Sequence, residues 1–298
     1  MTTFSDASSA QIAYVKEVTE GVTPSTPAYQ VLRFTGGVPQ YEKSTITSNE
    51  INPTRNVTDN VEVSRRATGG FNFEFSYGTF DDILESALGG DWTANKLKNG
   101  VKRHSFSFET KLLNGSTYSY IRQRGCLVGS LNLSITSQQI VTGSIEVLGV
   151  GGSASATAIA GATYTAATTT GVMNAGTSFD SLTITGVSPS PTIRSLNISI
   201  TNNLREQAAV GSVDLAGIGI GRFEVTGTME AYFEDLSLYN AFLAHTDINL
   251  EFVIGNSTGQ KYKFSIPKLK ISGETIDPAG NNQDVVQNIT FTGLYSTA

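Results

Sequence analysis

Apolar and polar residues alternate with a period of two over several stretches of the chain, the spacing of strands with one buried face. The clearest is Phe71-Asn72-Phe73-Glu74-Phe75-Ser76-Tyr77, which sets four aromatics on one face and polar side chains on the other. Residues 131–135 and 196–200 repeat the pattern, as do 104–108, 252–254 and 289–291. Two stretches carry the helical spacing instead. Residues 81–89 open on Asp81 and Asp82 and close on Gly89, with Phe80, Ile83, Leu84, Ala87 and Leu88 on one face. Residues 234–243 predict a second helix with Phe233, Leu236, Tyr239 and Leu243 turned inward. The pattern as a whole predicts a mainly β chain with two short helices.

The order of these elements repeats, which is the sign of an internal duplication. A strand ending at Tyr77 runs into Phe80-Asp81-Asp82-Ile83, and one ending near Ala231 runs into Phe233-Glu234-Asp235-Leu236. Each helix is followed by a hairpin, 104–112 with 117–124 and 250–254 with 260–266. A further strand comes next (130–135; 268–273), then a closing one (141–148; 286–293). Upstream, each has a strand, a loop with Asn and Arg (52–55; 203–205) and another strand. The chain therefore divides into an N-terminal arm (1–28), a first module (29–148), a connector (149–191) and a second module (192–298). The closely spaced prolines at 24 and 27 predict an extended arm. The connector is Gly, Ala, Thr and Ser, which cannot fill a core, so it reads as loop with one short strand at 181–186.

Composition narrows the function more than the fold. Of 298 residues 39% are hydrophobic and only 15% charged, with 30 glycines, a folded and turn-rich balance. The net charge is 20 − 26 = −6, without the cationic excess of a protein that grips phosphates. DNA meeting this chain should be repelled rather than held. A lone cysteine, Cys126, rules out an intrachain disulfide framework and reads as a buried hydrophobe in a reducing compartment. The first residues have no basic start and no apolar run, so no signal peptide is expected. No run of about eighteen apolar residues exists to cross a membrane as a helix. The expectation is a chain made and folded in a cytoplasm.

Chemistry is sparse. The two histidines, His104 and His245, have no partner at metal-ligand spacing, so neither a metal nor any other cofactor is expected. Asp81-Asp82 and Glu234-Asp235 sit where a helix start favours acids, and capping accounts for them. Gly217-Ile218-Gly219-Ile220-Gly221 lacks both the GxGxxG spacing and the lysine of a phosphate loop, so a turn or bulge is expected. No nucleophile, base and orienting group can be assembled, and the chain is not expected to be an enzyme.

The residues do resemble one family, the tail tube proteins of long-tailed (siphovirus-like) phages. The resemblance is carried by Ala13-Tyr14-Val15-Lys16-Glu17 through Gly21-Val22-Thr23-Pro24, and by Leu32-Arg33-Phe34-Thr35-Gly36. It continues in Thr47-Ser48-Asn49-Glu50-Ile51, in 55–59 and in 73–82, with Ala162-Thr163-Tyr164-Thr165-Ala166 beyond. The resemblance implies β-sandwich or barrel-like modules, each with one short flanking helix, joined around an axis into an inner barrel and stacked as rings. Such closure removes exposed sheet edges. Two modules per chain would make a trimeric ring with pseudo-sixfold symmetry, favoured over a hexamer. The implied partners are other copies, a tape-measure protein and tail-tip or terminator proteins, with DNA passing unbound through a virion tail assembled in the host cytoplasm.

Roles for individual residues follow as expectations. Asn72, Glu74 and Ser76 would face either the lumen or the outer solvent, with Glu224, Thr226, Thr228 and Glu230 as their counterparts. An acidic lumen would let DNA slide. The segment 36–66 mixes Glu50, Arg55, Asp59, Glu62, Arg65 and Arg66, charges of both signs suited to contacts between rings, with Arg205 and Glu206 matching them in the second module. The connector would lie on the exterior. Two other readings are the tube of a contractile injection system and a secreted adhesin or pilus-like β protein.

Overall fold

The computed structural model describes residues 4–257, 259–278 and 280–296; positions 1–3 of the arm and 258, 279 and 297–298 of the second module lie outside the described residues. A short 3-10 turn leads into β1 (Gln11–Lys16), β2 (Ala28–Val31), β3 (Gln40–Thr47), β4 (Asn60–Thr68), β5 (Gly70–Glu74) and α1 (Asp81–Leu88). The middle of the chain forms β6 (Phe106–Asn114), β7 (Thr117–Thr136), β8 (Thr142–Leu148), β9 (Gly151–Ser155), β10 (Thr163–Thr165) and β11 (Phe179–Thr185). The rest forms β12 (Ile193–Thr201), β13 (Arg205–Gln207), β14 (Gly217–Gly219), β15 (Glu224–Tyr232), α2 (Ser237–Leu243), β16 (Ile248–Ser257), β17 (Gln260–Asp277) and β18 (Val286–Gly293). The protein is mainly β, with one 14-stranded sheet in the order β10-β2-β1-β6-β7-β12-β15-β18-β17-β16-β11. β9, β8 and β5 attach beside β7, while β3–β4 and β13–β14 stand apart as hairpins.

β7 organises the sheet because it belongs to two leaves. Its first half pairs with β6 and β9, its second half with β8 and β12. Gly125 lies at the change of leaf with φ 63°, a conformation that glycine adopts without strain. The leaves close over one core. Phe71 of β5 faces Phe108 of β6 at 6.2 Å, and Phe73 packs on Phe80 at 4.3 Å. The core runs on into the second half, where Phe75 meets Tyr262 and Phe264. Burying such rings removes apolar surface worth about 1.5–3 kcal/mol each.

Cys126 sits just past this change, with 0% of its surface exposed, and burial pushes its thiol well above its ordinary pKa. It is therefore expected to resist thiol reagents in the native subunit and to react only on unfolding. Labelling at the rate of a free thiol under native conditions would contradict this packing.

Several expectations need correction. The arm is not separate, because β1 inserts between β2 and β6 and buries Ile12, Ala13 and Tyr14. The connector holds the strand expected near 181–186, β11 on β16, but two further strands where loop was expected, β9 on β7 and β10 on β2, which pair through backbone and need few apolar side chains. Tyr164 fixes β10 by stacking on Tyr29 and donating to Glu109, which is also paired with Arg122 at 2.6 Å. Gly217 to Gly219 form a strand rather than a turn, pairing with β13. Helix α2 starts at Ser237, whose N–H donates to Asp235, and this start turns Leu238 and Ala241 inward. Leu236 and Leu243 are left 54% and 64% exposed. The acids of α1 do occupy its first turn, but no side chain caps it. Asp82 instead accepts from Tyr14 and pairs with Lys16, and Asp81 accepts from Tyr262. Burial raises the Asp81 carboxyl above its ordinary pKa.

Candidate channel and assembly surfaces

The widest regular surface is built by β5, β8, β7, β12, β15, β18 and β17, whose registers align side chains in rows across the strands. One row runs Phe73, Gly143, Leu133, Ile198, Gly227, Phe291, Ile271 and faces the core. Its two glycines are required by close approach. A Cβ on Gly143 would stand 2.4 Å from the Phe73 ring, and one on Gly227 2.2 Å from the Phe291 ring. Because strands alternate, the rows on either side face away from the core.

These outward rows are neutral over almost their whole length. One reads Asn72, Ser144, Asn132, Ser199, Thr226, Thr292 and ends at Lys270. The other begins at Glu74 and reads Thr142, Ser134, Asn197, Thr228, Thr290 and Gly273. The hydroxyls and amides satisfy one another: Ser134 donates to Asn197 at 2.6 Å, and Asn132 to Ser144 at 3.2 Å. A trough of about 680 Å³ runs along these rows, which makes the face concave. Charges gather at its rims. Glu224 is paired with Arg222, and Glu230 with Arg194 at 3.1 Å.

Of the residues expected to face a lumen, Thr226 and Thr228 lie within this concave face, Asn72 and Glu74 at its β5 end, and Glu224 and Glu230 on its rims. Ser76 does not belong with them. β5 ends at Glu74, the alternation stops, and Ser76 is 0% exposed, bonded to Thr79 at 2.6 Å in the turn before α1. Alternation alone could not show where the strand ended. The contribution of the other five strands was also missed, because each offers only isolated Ser, Thr and Asn until the register aligns them.

The second surface is the β3–β4 hairpin. Arg65 bonds Asp214 at 2.8 Å, Arg66 pairs with Glu42 and Glu206, and Arg124 bonds Asp214 at 2.8 Å. Arg65, Arg66 and Glu206 thus tie the hairpin's base to the β13–β14 hairpin within the chain, with Glu62 3.7 Å from Arg65. Arg205 is exposed on β13. Glu50, Arg55 and Asp59 lie at the exposed tip, where Asn52 accepts from Thr54 and donates to Asn56. The tip also bares apolar side chains that a search for charges passed over. Ile51 is 98% exposed, Val57 70% and Ile46 60%.

The two halves share joints at matching places. Val128 opposes Val147, a bulge follows, and Ser130 opposes Glu146; Ile271 opposes Phe291, a bulge follows, and Gly273 opposes Thr290. Val150 N–H donates to Arg124 O as Leu294 N–H does to Lys268 O, and Phe75 to Val141 O as Phe233 to Val285 O. A Cβ on Gly149 would meet Ala67 at 3.0 Å, and one on Gly293 would meet Val225 at 3.0 Å.

Among the described residues no three His, Cys, Asp or Glu side chains converge to hold a metal, and no helix is long and apolar enough to cross a membrane. No curated protein matches the chain. A family model does, over residues 7–293, and its description is phage tail tube protein.

Proposed function

The chain belongs to the phage tail tube protein family, a structural family of the virion whose members stack into a tube, and on that premise we propose how this subunit builds one. Each chain supplies two modules, three chains make a ring with pseudo-sixfold symmetry, and rings stack into the conduit through which DNA is ejected. The observation that carries the reading is the repeated joint of β7–β8 and β17–β18, bulge included.

The concave face lines the lumen in this reading. Its neutral, self-satisfied hydroxyls and amides offer a passing phosphate no cation to release counterions against, so DNA gains no salt-sensitive hold. Slipperiness then comes from the absence of partners more than from the acidic repulsion the net charge suggested. The β3–β4 hairpin reaches the adjacent ring, the connector faces outward, and tape-measure and tail-tip or terminator proteins meet the tube at its bore and ends.

The test is electron microscopy of the purified protein with a mass measurement on any ring. Hollow rings of three chains are expected. Rings of six chains would overturn the two-module ring, and solid or open fibres would overturn the conduit.

A further inference from the structure

β17 reproduces β7 in part, with one partner strand on each flank where β7 has two. On one flank β7 carries β6 and then β12, and on the other β9 and β8. β17 carries β18 where β7 carries β8, and β16 where β7 carries β6. Past Leu269, on the β16 flank, no strand pairs with β17 among the described residues. The place that β12 fills on β7 is open on β17.

The strand that would fill it exists at the other end of the repeat. Gln40, Tyr41 and Glu42 oppose Thr68, Ala67 and Arg66, as Ser199, Ile200 and Thr201 oppose Thr226, Val225 and Glu224. Gly36 bridges Asn72 where Ser195 opposes Glu230. The start of β3 is therefore the counterpart of β12. The outer edge of β12 is covered by β7, while among the described residues β3 pairs only with β4. Unpaired edges of this kind are templates for another strand.

We propose that these two open edges meet between copies. Residues 272–275 of one subunit take residues 40–43 of the next, antiparallel, in the register that the chain uses internally between β7 and β12. Gln40 then stands opposite Thr275, as Ser199 stands opposite Asn132, and Glu42 opposite Gly273, as Thr201 opposite Ser130. Lys43 N–H donates to the Ser272 carbonyl, as Asn202 N–H does to Gly129. The polar row that ends at Gly273 continues across the joint into Glu42. Tyr41 and Glu274 stand where Ile200 and Leu131 pack, so the joint between copies is more polar than the one within the chain. Pro39, lacking an N–H, limits the ladder to the residues after it. This inference rests on the tube reading and names the partner surface within it.

The experiment is disulfide trapping, with Cys126 buried and silent. Gln40→Cys and Thr275→Cys subunits are mixed, assembled and oxidised. A covalent dimer is expected from the mixture and from neither variant alone. The double variant is expected to give a ladder ending at the ring's copy number. Gln40→Cys mixed with Asn288→Cys, one strand further on, serves as the register control and is expected not to cross-link. Tubes that form without the Gln40–Thr275 cross-link, or that cross-link equally with Asn288→Cys, overturn the edge assignment and leave the tube reading intact. A parent chain that forms neither rings nor tubes removes both. Should a cysteine variant fail to fold, hydrogen exchange of the parent decides. Amides of 40–43 and 272–275 are expected to slow by about tenfold or more on assembly, and unchanged exchange overturns the pairing.

Discussion

A Gly70→Ala subunit is expected to unfold on the order of 5–10 °C below the parent, following a loss of about 3 kcal/mol. A Cβ at position 70 would stand 1.6 Å from the Ile145 carbonyl oxygen and 2.9 Å from the Glu146 Cα, both backbone atoms of β8. No rotamer change relieves a clash with backbone, so the β5–β8 ladder must part, and with it the Phe71 and Phe73 side chains that β5 carries into the core. The control is Gly36→Ala, where nothing lies within 4 Å of the added carbon. Its stability is expected to stay within about 0.5 kcal/mol. Thermal unfolding of both variants checks the pair, and equal melting temperatures would show that β8 yields at this point.

The second large effect concerns assembly and leaves the fold alone. An Ile51→Lys, Val57→Lys subunit is expected to melt like the parent, because both side chains stand in solvent, 98% and 70% exposed. It is expected not to form tubes. Burying a Val or Ile side chain contributes about 1.5–3 kcal/mol, so two lost at each hairpin cost at least a hundredfold in the affinity of one contact. Several hairpins act in every ring, and the losses multiply. Sedimentation of subunits over a range of concentrations reads the result. Growth of tubes at the parent's critical concentration would mean that the tip stays in solvent after assembly.

How far the sequence alone reached depended on the range of the interaction. Residues 71–75, 131–135 and 196–200 were legible as strands because one buried face writes itself into adjacent residues. Helix α1 was legible from its acids, its glycine stop and its apolar stripe. Helix α2 was misread because Leu236 and Leu243 suggested a stripe that the actual start, set by Asp235 on the Ser237 N–H, turns toward solvent. β9 and β10 left no apolar trace because edge pairing asks only for backbone groups. The neutral concave face was hidden for a deeper reason: it exists only in the alignment of seven strands drawn from residues 70 to 293. The proposed duplication rests in the sequence on an order of elements, whereas the matching bulges and the open edge on β17 belong to register, which one chain's pattern does not encode locally.

The place of β1 has a consequence for how a subunit is made. β1 lies between β2 and β6, and β6 is synthesised only after the β3–β4 hairpin, β5 and α1 have emerged. The outer edge of β2 likewise waits for β10, and one edge of the second half of β7 waits for β12. Hairpins such as β3–β4, β6–β7 and β16–β17 can form as they emerge, but the long-range pairs carry a loop-closure cost that falls due before they reward it, which is expected to slow folding. The last strand, β18, slots between β15 and β17 and finishes the concave face. A chain released before β18 is synthesised would leave β15 and β17 unjoined. On the tube reading, a chain without β18 would therefore lack the continuous face proposed to line the bore.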